Sequence, residues 1–113
     1  MMLHHGSCHC GKVKFEFEGT IDAAVACNCS ICSRKGGLLW AAAEADFTVL
    51  TPDSEMSAYT FNNHVIRHRF CKTCGMQAFA EHAEQKSVYV NLRCVDGLDL
   101  KAIPVMEFDG KAV

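Results

Sequence analysis

The chain has 113 residues and a mass of 12.4 kDa, carries a formal net charge of −2, and contains eight cysteines. That length holds one domain, residues 1–113, and a mildly acidic chain with 21% charged residues is neither a disordered tail nor a polybasic nucleic-acid binder. No stretch approaches the ~18 apolar residues of a membrane span, and Met1-Met2-Leu3-His4-His5-Gly6 lacks the apolar h-region of a signal peptide, so a cytoplasmic protein with no membrane partner is expected.

In chain order, His4 and His5 read as a floppy end. Residues 12–18 alternate, with Val13, Phe15 and Phe17 on one face and Lys12, Lys14, Glu16 and Glu18 on the other, which predicts a half-buried strand. Residues 23–27 read as a second strand running into a cysteine group. Residues 30–35 predict one helical turn, stopped by Gly36-Gly37. The apolar run 38–43 predicts a buried strand, with Trp40 in core or pocket wall. Segments 47–50 and 57–61 are further strands, split by the Thr51-Pro52-Asp53 turn. Residues 65–70 alternate, setting Ile66, His68 and Phe70 against Val65, Arg67 and Arg69. Segments 76–80, 87–92 and 105–108 complete the set, and Asp96-Gly97 and Asp109-Gly110 are turn pairs. No apolar period of 3.6 residues lasts three turns, so the fold class is mainly β: a small single domain of short antiparallel strands.

Seven of the eight cysteines fall into three tight groups: Cys8/Cys10, Cys27/Cys29/Cys32 and Cys71/Cys74. Disulfide scaffolds spread their cysteines to staple distant loops, whereas close groups converge thiolates on one ion. Sulfur-rich donor sets select zinc or iron–sulfur clusters, and the ferredoxin-type runs are missing, so zinc is expected. Cys71-Lys72-Thr73-Cys74-Gly75 has the form of a zinc knuckle, with Gly75 allowing the turn that points amides at the sulfurs.

Seven clustered cysteines make one four-sulfur and one three-sulfur site. Cys8/Cys10 and Cys71/Cys74 can join in a closed, structural tetrahedron, a staple for a thin core. Cys27, Cys29 and Cys32 then form a group with its fourth position open, the mark of a metal that does chemistry. Spacing also permits Cys27/Cys32 to complete the knuckle instead, or the middle group to close with a histidine or carboxylate. A zinc on three thiolates is a weak acidifier of water and a good holder of a fourth thiolate, from a substrate. The chemistry expected is therefore addition of a thiol to a carbonyl, or the reverse cleavage of a carbon–sulfur bond.

The runs Gly6-Ser7-Cys8-His9-Cys10-Gly11, Cys27-Asn28-Cys29-Ser30-Ile31-Cys32-Ser33-Arg34-Lys35-Gly36 and Phe70-Cys71-Lys72-Thr73-Cys74-Gly75 resemble the glutathione-dependent formaldehyde-activating enzyme family, which includes centromere protein V. The tail from Val90 to Asp99 also resembles bacterial members. The resemblance implies a small mostly-β fold with a structural zinc on Cys8, Cys10, Cys71 and Cys74. It implies a second zinc on Cys27, Cys29 and Cys32 beside a glutathione site. It also implies condensation of formaldehyde with glutathione to S-hydroxymethylglutathione, grouped with the carbon–sulfur lyases. Where many members carry a histidine, this chain has Asn28, which cannot shuttle a proton near neutral pH.

Arg34 and Lys35 follow the open site and are candidates for binding glutathione's carboxylates. Arg67, His68, Arg69 and Lys72 form a basic stretch, expected as a charged strand face rather than an anion or nucleic-acid site. His64 and His68 are candidates for a fourth ligand or a general acid. Cys94 stands alone. It is expected as a buried thiol, although Arg93-Cys94 is similar to the reactive pair of B-class methionine-sulfoxide reductases. Two other functions stay open: a non-catalytic zinc module, and a sulfoxide reductase using Cys94.

Overall fold

A computed structural model describes residues 2–61 and 64–110. The first hairpin joins β1 (Met2–Ser7) to β2 (Lys14–Gly19), and β5 (Phe47–Val49) pairs on the far side of β2 to complete a three-stranded antiparallel sheet. The alternation read from the sequence sets the register: Phe15 and Phe17 are buried on the inner face of β2, continuing from buried Val13. The floppy end expected at His4 and His5 is corrected: both lie in β1. β1 runs beside β2 from Met2↔Gly19 to Ser7↔Lys14. His4 lies 3.0 Å from the Gly19 carbonyl and stacks on Phe17, with ring centroids 5.1 Å apart. The physical reason is pairing: an edge of β2 would otherwise leave its backbone groups without partners.

The second sheet has seven strands in the order β10 (Val105–Phe108), β3 (Ala24–Cys27), β4 (Leu39–Ala43), β9 (Ser87–Asn91), β8 (Gln77–His82), β7 (Ile66–Cys71) and β6 (Met56–Tyr59). All neighbours are antiparallel except β10 and β3, which run parallel from Val105↔Ala24 to Phe108↔Cys27 and so depart from the purely antiparallel expectation. The returning segment carries Asp109-Gly110 to the end of β3. A single helical turn, α1 (Cys32–Lys35), ends at Gly36 as predicted, with the Gly36 N–H donating to the Cys32 carbonyl at 3.0 Å.

Between the sheets sits an aromatic core. Phe47 contacts Phe79 at 4.9 Å and Phe15 at 5.4 Å, and Trp40 lies 5.5 Å from Phe17, all between ring centroids. The Arg67–Lys72 stretch does not form one charged face. Arg69 is buried, and its guanidinium is held by Asp53 and Glu81; Arg67 is 3.8 Å from Glu81. The 53–55 turn covers Arg69, anchored where the Lys72 N–H donates to the Glu55 carbonyl at 3.1 Å. No helix among the described residues is long and apolar enough to cross a membrane.

Candidate functional site

The two hairpin turns at one end of the sheets meet through their cysteines. Cys8 and Cys10 sit in the turn between β1 and β2; Cys71 ends β7, and Cys74 lies in the turn before β8. The four sulfurs lie within 4.8 Å of one another, with Cys8–Cys10 and Cys10–Cys71 both at 3.6 Å. Tetrahedral zinc–thiolate bonds of about 2.3 Å put sulfurs about 3.8 Å apart, so this donor set fits zinc. The backbone prepares it. Val13 N–H donates to Cys8 Sγ at 3.3 Å, and Thr73 and Cys74 N–H groups donate to Cys71 Sγ at 3.3 and 3.5 Å. Gly75, at φ 78°, makes the knuckle turn that aims those amides inward, a conformation costly for other residues. N–H groups of Met76 and Cys10 pull the Cys74 thiol down to about 6.

The middle group is built at the end of β3. Cys27 ends the strand, Cys29 follows in the turn, and Cys32 begins α1; their three sulfurs also lie within 4.8 Å of one another. Among the described residues no fourth cysteine, histidine or carboxylate joins them. Burial raises the Cys32 thiol to about 12, with the neighbouring Cys29 adding to the effect; the Cys29 thiol is lowered, burial opposing and the Cys32 amide favouring its thiolate. Three thiolates this close repel one another, so a cation fits the set. The 109–110 segment covers the group. A Cβ on Gly110 would lie 2.9 Å from Cys29 Cβ and press on Cys27 Sγ, so only a glycine backbone passes here. Asn28 turns away and donates to Asp109 at 3.0 Å, tying the cysteine turn to that segment.

Two clefts flank the middle group and share Cys32, Lys35, Leu39 and Gln77 in their walls. The larger, of about 640 Å³, has Cys27, Cys29 and Cys32 at its mouth. Its floor is one cross-strand row: Ala41 faces Tyr89, Tyr89 faces Ala80, and Ala80 faces His68. Phe61, Ile66, Val25 and Phe108 make its sides apolar. The smaller, of about 490 Å³, is more polar and includes His9, Asn91, Arg93, Cys94 and Asp96.

Lys35 points into both clefts and donates to Gln77 Oε1; burial lowers its pKa, while the Cys32 and Cys29 sulfurs favour its charge. Arg34 lines neither cleft and donates instead to the Ser30 carbonyl at 2.7 Å. His64 is exposed and pairs with Thr60 at 2.7 Å, away from the cysteines. His68 is buried in the floor of the larger cleft. Cys94 lines the smaller cleft, and burial raises its thiol to about 11, which opposes the thiolate a reactive cysteine needs. Gln77 had no signal in the sequence and Gly110 showed only as half of a turn pair: Gln77 acquires its place through strand register, and Gly110 through the parallel return of β10. The eight cysteines form no disulfide.

His68 makes a pH prediction. Burial first, and the Lys35 charge second, bring its pKa down to about 4 from 6.5. Between those values the unfolded chain binds a proton that the folded chain refuses, so stability falls as pH falls, by up to about 1.4 kcal/mol per pH unit. Above 6.5 both states are neutral and the effect is absent. In urea titrations of wild type and His68→Phe at pH 7, 6, 5 and 4, the variant should gain steadily on wild type below pH 6.5. A constant difference across the series contradicts the buried neutral histidine.

A family model described as glutathione-dependent formaldehyde-activating enzyme matches residues 3–108. The fold is also similar to a crystal structure of a Rhodobacter sphaeroides protein, at a TM-score of 0.79 and 30% identity, covering 90% of this chain and 99% of the other.

Proposed function

The chain belongs to the glutathione-dependent formaldehyde-activating enzyme family, and from that premise we propose that it is a zinc-dependent carbon–sulfur lyase-type enzyme that joins glutathione to an aldehyde and cleaves the adduct in reverse. The observation that carries this reading is the middle group: three sulfurs within 4.8 Å of one another, no fourth ligand among the described residues, and a cleft opening from them. When bound, a zinc ion there supplies a place for a fourth thiolate at neutral pH. The forward reaction adds the thiol across the carbonyl: the S–C bond forms, the C=O π bond opens, and the thiol's proton ends on the oxygen.

The chain's own residues frame that reaction. Lys35 brings a cation between the two clefts and suits a glutathione carboxylate or a thiolate. The more polar cleft, with Arg93 and Asn91, matches the tripeptide's polar body, and the apolar cleft sheds water from the reacting carbon. Cys8, Cys10, Cys71 and Cys74 hold the second, structural zinc. The cofactor complement proposed is thus two zinc ions with glutathione as co-substrate, in a reducing, cytoplasmic setting. Asn28, tied to Asp109, serves as a clasp on the cysteine turn rather than a proton carrier.

Exchange spectroscopy tests the proposal. With formaldehyde and glutathione at equilibrium, the zinc-loaded protein should broaden or cross-saturate the ¹H lines of S-hydroxymethylglutathione and glutathione well beyond the uncatalysed rate. Zinc in the Cys₄ site with no change in exchange, and no glutathione binding at millimolar concentration, selects a purely structural zinc module instead.

A further inference from the structure

Formaldehyde has two heavy atoms, and the cleft beside the three sulfurs encloses about 640 Å³ of largely apolar space. Apart from the sulfurs, its polar side chains are Lys35, Gln77, Tyr89 and His68; Lys35 and Gln77 bond each other, Tyr89 donates to Gln85, and His68 is left with a spare ring nitrogen. His68 is 6% exposed, its ring stacks on Phe61 at 5.5 Å between centroids, and its Nε2 has no hydrogen-bond partner among the described residues. Buried polar atoms are rarely left so, because an unpaired donor costs on the order of a lost hydrogen bond.

The neighbouring contacts fix what Nε2 is. The Lys35 ammonium can only donate, and it donates to Gln77 Oε1. Gln77 therefore turns its amide NH₂ to the other side, where it lies 3.4 Å from His68 Nδ1. Nδ1 must accept, so in the neutral ring the proton sits on Nε2. The line Lys35–Gln77–His68 thus leaves one neutral N–H donor, buried and unpartnered, on a residue that lines a largely apolar cleft. A neutral donor among apolar walls suits an uncharged oxygen attached to an apolar body.

We propose that this cleft binds the carbonyl-derived part of the substrate, that this part is an apolar aldehyde larger than formaldehyde, and that the His68 Nε2–H donates a hydrogen bond to its oxygen. The inference rests on the glutathione reading for the identity of the thiol, and on the cleft alone for the rest. In the addition, the thiol proton still goes to the oxygen and the S–C bond still forms; His68 keeps its proton and steadies the developing C–O dipole.

The test begins without turnover. In the zinc-loaded full chain, ¹⁵N spectra of the imidazoles should give His68 the pattern of the Nε2–H tautomer. Titration with hexanamide, a neutral carbonyl with an apolar tail, should shift that N–H and saturate, and affinity should rise about fourfold per methylene from propanamide upward. His68→Phe, with its melting temperature checked, should weaken hexanamide about tenfold. An Nδ1–H tautomer, or a response to hexanamide no stronger than to formamide, overturns the proposal. Turnover with glutathione then separates the two readings. A higher kcat/KM for hexanal than for formaldehyde supports both. Formaldehyde active with hexanal inert overturns this inference alone. Both aldehydes inert while hexanamide binds at His68 removes the glutathione reading and sustains the cleft assignment.

Discussion

Replacing Cys71 by serine should abolish cooperative unfolding of the domain. Cys71 is fully buried, lies 3.6 Å from Cys10, and accepts two backbone N–H groups at its sulfur. With a serine there, the thiolate charge that those amides stabilise is gone and the four-donor set becomes three. The closure at stake is long, since Cys10 and Cys71 are 61 residues apart. The same bridge joins the β1–β2 hairpin of one sheet to the β7–β8 hairpin of the other. Structural zinc in small peptides contributes about 10–16 kcal/mol at neutral pH, as much as the whole stability of a typical domain of about 5–15 kcal/mol. Cys71→Ser should therefore bind one zinc fewer and give a non-cooperative melt by circular dichroism. A sharp transition within about 1 kcal/mol of wild type shows instead that the aromatic core of Phe15, Phe47 and Phe79 is sufficient without the staple.

What the sequence revealed follows from how local each signal is. Three cysteine groups are visible as spacing because each pair or triplet sits within one turn, and the structure brings them together in the sets Cys8/Cys10/Cys71/Cys74 and Cys27/Cys29/Cys32. The alternating strand around Phe15 and Phe17 is legible for the same reason, its period being a property of neighbours. β1 was illegible because Met2–Ser7 carries no inward apolar series. Its inner contacts are a histidine ring on Phe17 and a buried glycine, and partner strand β2 decides its conformation. Lys35 and Arg34 look alike as sequence; only the short turn of α1 sends one into the clefts and the other back to Ser30. The Lys35–Gln77–His68 line was out of reach altogether. It joins a helical turn to two strands, and each link depends on a register that one slipped residue would destroy.

Cys27→Ser should do the opposite of Cys71→Ser: remove turnover and leave the fold. The middle group is half-buried at the mouth of a cleft, and no part of the aromatic core rests on it. Its chain closure is also short, five residues from Cys27 to Cys32, so by loop entropy it constrains the unfolded chain about 2 kcal/mol less than the 61-residue closure. Serine preserves the strand end where Cys27 pairs with Phe108. It removes one of the three sulfurs, and changes even to groups around a metal's ligands cost about 10–100-fold in affinity or activity, so loss of a ligand should cost at least about 100-fold. Zinc content should fall from two per chain towards one, the melting temperature should move by only a few degrees, and glutathione–aldehyde exchange should drop to the uncatalysed rate. The pair of variants is decisive because the two cysteine groups make opposite demands. Equal unfolding by both makes the middle group a second staple and its open position a misreading. Unaltered exchange in Cys27→Ser moves the chemistry away from these sulfurs.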